Sequence, residues 1–330
     1  MKLSYLDLTT TDPAYNLAVE EYVFECLPKD RMYVMLWRND NAIIIGKHQN
    51  THAQINPAFV REKNIRVVRR LSGGGAVYHD LGNLNFTIIA DAQGDTLDFA
   101  RFCDIVIAAL KKAGIQAQRN GRNDMTIDGK KFSGNAQYLR QNRVMHHGTI
   151  LFDSDLTVLS RALQVDEEKI RSKGVDSVRS RVTNVRPCLP EDMTLAQFRA
   201  LLLQTILEQT PGEAYNLTAE DLAEIEKRKQ ARYDSWDWNY GQSPECTLLK
   251  KQRLEGCGTV EAYLTLSHST ITQLELKGDF FSAEPPELLA QKLIGCPLTE
   301  AALSAALAEV DTSRYILGMN PEEFVRLLTQ

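Results

Sequence analysis

The chain has 330 residues, 43% of them apolar and 25% charged, with a formal charge of -5. That length supports one large domain plus a smaller one around a sizeable core, and the composition excludes a disordered or fibrous chain. The negative balance argues against broad capture of nucleic acid or anionic membrane, and no apolar run approaches the ~20 residues of a membrane span.

The N-terminal stretch carries acids where a secretory signal needs an apolar core, so a cytoplasmic protein is expected. The first helix is predicted from Asp12-Pro13, a start signal followed by Ala14, Leu17, Ala18 and Tyr22 at helical spacing. Short strands follow at Tyr33 to Trp37, at Ala42 to Ile45 and at Arg66 to Arg70, the last running into three glycines. Leu84, Phe86 and Ile88 alternate as in a half-buried strand. From Leu97 to Ala113 the apolar positions define one helical face, with Gly114 placed to end it.

Two hairpins are predicted next, turning at Asp128-Gly129 and near Gln141-Asn142. Thr194 with Gln197 forms a capping-box pattern, and Thr218 with Asp221 repeats it. Around Trp236 to Pro244 the pattern breaks, and a β segment from Gly256 to Lys277 opens a new region ending in short helices. Strands and helices are mixed rather than strictly alternating, which favours an α+β fold. The division is expected near residue 246, giving segments 1–246 and 247–330. The six cysteines, at positions 26, 103, 188, 246, 257 and 296, show no C-x-x-C pair and no zinc-ligand spacing, and are expected to be reduced thiols.

Chemistry concentrates in a few motifs. RRLSGGGAVYHD, Arg69 to Asp80, places three glycines between two predicted strands, where backbone N–H groups can approach a phosphate or carboxylate unobstructed by Cβ atoms. Neighbouring arginines on a strand face apart, so one of Arg69 and Arg70 is expected in the pocket. Neither G-x-G-x-x-G nor a Walker loop occurs, so a nucleotide here implies an unrelated fold.

In GRNDMTIDGKKFSGNAQ, Gly121 to Gln137, one of Lys130 and Lys131 should point inward toward Ser133 and Asn135 as a charge clamp, the other to solvent. Asn123 and Asp124 suit either a hairpin entry or a hold on Mg²⁺ or a nucleotide. His146 and His147 should face apart, one to the pocket and one to solvent, and His79 is better placed within the glycine motif. The basic stretch Arg171 to Asn184 suits a surface loop or a lid whose Arg179 and Arg181 meet phosphates.

Taken in order, RRLSGGGAVYHD, GRND, KKFSGNAQ, HHGT and KGVDSVRSRVTN resemble the lipoate-protein ligase A family, and WDWNYGQSP resembles that family's linker between domains. The resemblance implies a mixed-sheet catalytic domain like that of biotin protein ligases and class II synthetases, with a small α+β C-terminal accessory domain. It implies activation of lipoate by ATP, with Mg²⁺, to lipoyl-AMP, then transfer to a lysine of apo lipoyl domains of 2-oxoacid dehydrogenase E2 subunits or of glycine cleavage H protein.

By motif position it assigns Lys131 to catalysis. Arg70, Gly75, Ala76, Val77, Tyr78, Asn123, Asp124 and Lys131 fall to the nucleotide, with Asp124 also a candidate metal ligand. Arg70, Ser72, His79, Lys131 and His147 fall to lipoate, with Asn83 in support. Trp37 and Ile43 to Ile45 are candidates for the wall of the acyl tunnel. Three rivals are an ATP-independent octanoyl or lipoyl amidotransferase, which needs a thiol that LFDSDLTVLSRALQ lacks, a biotin ligase, whose glycine-rich loop carries a different arginine pattern, and a non-catalytic lipoate or lipoyl-domain binder.

Overall fold

The computed structural model describes residues 2–49, 51–92, 98–121, 123–163, 181–240, 248–267 and 270–329. Eleven strands of the larger region are β1 (Lys2–Asp7), β2 (Arg31–Trp37), β3 (Ala42–Ile45), β4 (Arg66–Arg69), β5 (Val77–His79), β6 (Asn83–Asp91), β7 (Ala117–Asn120), β8 (Asp124–Ile127), β9 (Lys130–Arg140), β10 (Arg143–Leu151) and β11 (Gly212–Ala214). Eight of them make one sheet in the order β11-β1-β2-β6-β10-β9-β8-β7, and β4-β3-β5 make a second. β1 runs parallel to β2 and β11, while β2, β6, β10 and β9 are successively antiparallel. The fold is α+β with mixed sheets.

Helices cover both faces of the large sheet, so both faces of β2 are buried. In β2, Met32, Val34 and Leu36 enter the core beneath the helices Ala100–Lys112 and Leu195–Gln209, whereas Tyr33, Met35 and Trp37 enter the core beneath the helix Pro13–Glu25. Asp12 caps that last helix by accepting from the N–H groups of Ala14 and Tyr15. Its far side is covered too, and Glu21 is buried there, whereas Glu20 is buried on the side turned to the sheet. Glu21 meets Arg228 at 3.2 Å and Arg232 at 2.6 Å from the covering segment.

The turns follow the expected chemistry. Asp128 and Gly129 have φ of 49° and 76°, and Gln141 and Asn142 have 50° and 58°, so both hairpins turn through paired left-handed residues. Capping boxes form at Thr194/Gln197 and Thr218/Asp221. The amphipathic helix Ala100–Lys112 ends before Gly114, whose φ is +82°. Leu97, its expected start, lies outside the described residues.

β6 corrects the expectation of a half-buried strand. Leu84, Phe86 and Ile88 do alternate into one core, but Asn83, Asn85 and Thr87 on the other face are buried as well. The polar face is roofed over instead of meeting solvent, and its Asn85 lines an interior cleft.

The C-terminal region is a three-stranded meander, β12 (Leu248–Leu254), β13 (Gly258–Ser267) and β14 (Thr270–Gly278), packed by the helices Pro286–Gln291, Glu300–Leu307 and Pro321–Thr329. Val260, Leu264, Leu276, Leu303 and Phe324 form its separate core. It docks on the loop after β3, where the His48 ring stacks on Phe280 at 4.9 Å and the Gly278 N–H donates to the His48 carbonyl. The expected division at 246 falls in a stretch, 241–247, outside the described residues. No helix among the described residues is long and apolar enough to cross a membrane.

Candidate active site

The polar faces of β6, β10 and β9 form the floor of a cleft of about 610 Å³, counting space open to solvent. Register places Trp37 beside Asn85 and Asn85 beside Thr149, the Thr149 hydroxyl meets Gly134, and Gly134 stands opposite Asp124. This row crosses the sheet from β2 to β9, three strand spacings or roughly 14 Å. Leu17, Trp37, Ile44 and Val77 line the apolar end, and Asn123, Lys131 and Gly134 line the other.

The glycine loop forms a side wall. Arg70 lines the cleft and spends most of its donors on that loop, bonding Ser72 Oγ at 3.0 Å and the carbonyls of Ile44, Gly73 and Gly75 at 3.1, 2.6 and 2.9 Å. Burial lowers its guanidinium to about 10, opposed by the charge of Glu20. Arg69 points the other way, as strand geometry requires, but into a second buried nest. Its side chain reaches the carbonyls of Gly46, Gln49 and Trp238. Its backbone N–H donates to Asn239 Oδ1 and its carbonyl accepts from Trp238 Nε1. Two side chains thus stand in for a missing neighbouring strand at the open edge of β4.

The loop's backbone is not wholly turned to a ligand. Gly74 has φ of +91° and donates its N–H to the Phe280 carbonyl, and a Cβ at Gly73 would lie 2.3 Å from that same oxygen. These glycines admit the C-terminal region, whose Phe281 joins the cleft wall.

At the open end, Thr126 pairs with Lys131 and Met125 with Ser133, leaving Phe132 unpaired in a bulge. Phe132 sinks into the core and Lys131 faces the cleft while Lys130 is exposed. Lys131 Nζ stands 2.7 Å from Asp124 Oδ1, with the two side chains 40% and 36% exposed. Asn123 lines the cleft and is pinned to Asn135 by its amide, which donates to the Asn135 carbonyl at 2.8 Å. The chain returns after 180 to pair Val182 with Lys131. Arg179 lies outside the described residues, and Arg181 is not among the lining residues.

His147 lines the cleft, with its Nδ1–H turned to Glu20 Oε1 at 3.0 Å and its Nε2 bonded to Ser72 Oγ at 2.6 Å. Glu20 also accepts from the Thr87 hydroxyl, which in turn accepts from Trp37 Nε1. A buried chain of polar contacts thus runs from Trp37 to Arg70.

Several sequence expectations need correction. His146 faces the opposite core rather than solvent, among the rings of Phe86, Phe99 and Phe102, and burial brings its imidazole down to about 3. Tyr78 does not line the cleft: it alternates away from Val77 and His79 into a core with Ile43 and Ile45, its hydroxyl donating to Asn41. Of the expected tunnel strand only Ile44 lines the cleft. Ser72 is buried behind the wall between Arg70 and His147, and Asn83 stands off the lining, donating to Asn85 Oδ1.

Gly75, Ala76, Val77 and His79 line the cleft. Among the described residues no cluster of three His, Cys, Asp or Glu side chains offers a metal cage. Glu20, Asn85, Thr149 and Phe281 were not singled out in the sequence. Glu20 had one available signal, a carboxylate on the apolar face one turn after Leu17.

Comparison with known proteins bears on this geometry. Residues 12–207 match the model of the lipoyl protein ligase A/B catalytic domain, and residues 243–328 match that of the bacterial lipoate protein ligase C-terminus. The chain is 40% identical over 321 residues to lipoate-protein ligase LplJ of Bacillus subtilis, covering 96% of this chain and 97% of that one. A chain from the study of a bi-partite lipoate protein ligase and its E2 lipoyl domain of Thermoplasma acidophilum superposes with a TM-score of 0.66 at 28% identity, covering 75% of this chain and all of its own. A lipoate-protein ligase A crystallised with ATP gives 0.63 at 25% identity, over 74% of this chain and all of that one.

Proposed function

The chain belongs to the lipoate-protein ligase family, and from that premise we propose that its cleft activates lipoate with ATP and passes the acyl group to a lysine of a lipoyl domain. The observation that carries this reading is one cleft joining an apolar end at Trp37, Leu17 and Ile44 to a cationic end at Lys131, with Arg70 in the side wall next to Ile44. The tail lies toward Trp37, and the carboxylate lies beside Lys131.

In the first half-reaction a lipoate carboxylate oxygen attacks the α-phosphorus, its bond to pyrophosphate breaks, and lipoyl-AMP remains. Lys131 is near both the carboxylate and the α-phosphate oxygens and offsets their negative charge as attack proceeds. Arg70 holds the loop carbonyls turned away from the phosphates and has one Nη1–H left for the ligand among the described contacts. Gly75, Ala76 and Val77 line the nucleotide side, with Asn123 and Asp124 at its edge.

In the second half-reaction a neutral acceptor amine attacks the lipoyl carbonyl, AMP leaves, and the amine sheds a proton. Lys131 again stabilises the oxyanion. Its contact with Asp124 is exposed enough to exchange for ligand oxygens at small cost.

A lone carboxylate at Asp124 suits Mg²⁺ carried largely by phosphate oxygens and water rather than by a protein cage. Asp124 would lend one oxygen, and the ion would supply charge neutralisation on the polyphosphate. Acceptors in this reading are E2 lipoyl domains and glycine cleavage H protein, met in the cytoplasm where ATP is supplied, and the catalytic and accessory domains divide at 246.

None of the five described cysteines lines the cleft, which counts against a thioester-forming transferase. The test is lipoate-dependent pyrophosphate release with no acceptor, followed by the mass of an added lipoyl domain. Release and a lipoyl mass gain are expected. Transfer without ATP from an acylated carrier would overturn the ligase reading, and binding without either would favour a carrier protein.

A further inference from the structure

His79 is 3% exposed and lines the cleft, yet its Nε2 has no hydrogen-bond partner among the described residues. The other ring nitrogen is heavily committed. Asn39 Nδ2 lies 3.1 Å from His79 Nδ1, and Asn85 Nδ2 lies 3.5 Å from it.

The orientation of Asn39 is set from behind. Asn16 Nδ2 donates to two main-chain carbonyls, Arg38 at 2.9 Å and Thr10 at 3.2 Å, so the atom there is an amide nitrogen. An amide nitrogen has no lone pair to offer, so the Asn39 atom 3.0 Å from it must be the oxygen. Asn39 therefore turns its NH₂ to His79, and Nδ1 accepts. The imidazole is neutral at ordinary pH, since burial, with the charges of Arg70 and His147, holds it down to about 3. Its single proton then sits on Nε2, a buried donor at the cleft wall.

That donor lies toward the acyl end. The ring meets Trp37 edge-on at a centroid separation of 6.3 Å, and Trp37 stands on β2, three strands from the β9 that carries Lys131. A plain hydrocarbon tail would leave the N–H without an acceptor in a low-dielectric site, whereas a ring sulfur is a weak acceptor. Sites built to hydrogen-bond a substrate group reject analogues that lack it.

We propose that His79, fixed as its Nε2–H tautomer by the Asn16–Asn39 pair, donates to a dithiolane sulfur and so selects a sulfur-bearing acid over a hydrocarbon one. The inference rests on the lipoate reading above and adds to it a specificity-determining residue.

The experiment compares lipoate with ω-cyclopentylpentanoate, the same acid with both ring sulfurs replaced by methylene, in acceptor-free pyrophosphate release. The ratio of kcat/KM should favour lipoate by about tenfold in the wild type. It should fall to near one in His79→Phe, and recover in part in His79→Gln, whose amide keeps an N–H near the Nε2 position. A ratio that His79→Phe leaves unchanged while lipoate still drives release overturns this inference alone. No release with either acid overturns the ligase reading and the inference with it. If His79→Phe does not fold, the ¹⁵N spectrum of the wild-type imidazole decides: a proton on Nε2 supports the proposal and one on Nδ1 ends it.

Discussion

At the Lys131 end of the cleft the charged groups are half-buried and held by one 2.7 Å ion pair, whereas at the Trp37 end the polar groups are buried and fixed through several neighbours. On the proposed reading, the difference matches what each end has to do. Phosphates bring their own charge and need a cation free to meet them, so Lys131 is left in contact with water. A tail brings almost no polar groups, so recognition there depends on donors whose direction is settled before it arrives.

Four perturbations separate the two ends, from the largest effect to the smallest. Glu20→Ala would strip the acceptor from His147 Nδ1 and Thr87 Oγ1 beneath the cleft, and should cost about 3–5 kcal/mol of stability by urea unfolding. A loss below about 1 kcal/mol would mean the buried network is not a structural requirement. Lys131→Ala should slow lipoyl-AMP formation by about 10²–10³-fold, as for loss of a preorganised charge-stabilising donor, while leaving the thermal midpoint nearly unchanged because the side chain is exposed.

Acid should act through the interior. His79 and His146 are each held to about 3, below their ordinary range, so between pH 6.5 and 3 the unfolded chain binds more protons than the folded one. Each should therefore remove on the order of 2 kcal/mol of stability when pH falls to 5, and His146→Leu should abolish one of these shares. Equal pH slopes for wild type and variant would contradict the neutral buried ring. Thr194→Ala, far from the cleft, serves as the control: it should cost about 1 kcal/mol through loss of the helix cap and leave pyrophosphate release unaltered.

Local chemistry made much of this legible in the sequence. Asp12-Pro13, the two capping boxes and the Asp128-Gly129 turn act within a few residues, and each appears where local rules place it. Strand alternation made it legible that Lys131 and Lys130 part, but the bulge at Phe132 turns Lys131 toward Asp124 and Gly134 and not toward Ser133 and Asn135, which pack with His146.

What failed depended on distant packing. Asn83, Asn85 and Thr87 suggested a solvent face because nothing nearby shows that the helix Pro13–Glu25 and the glycine loop roof that side of β6. His146 looked solvated for want of any local sign of Phe99 and Phe102 above it. Tyr78 was carried to the nucleotide by motif position, but a three-residue strand gives only Val77 and His79 to the cleft. Phe281, some 200 residues beyond the glycine loop, reaches the site only through docking of the C-terminal region.

The most direct test of the central claim is the yield of lipoyl-AMP from ATP and lipoate in the absence of acceptor, with wild type and Lys131→Ala compared at matched folded concentration. Accumulation of lipoyl-AMP by the wild type and its near disappearance in the variant is the predicted result. Equal formation by both, or formation by neither alongside ATP-independent lipoyl transfer, would contradict it.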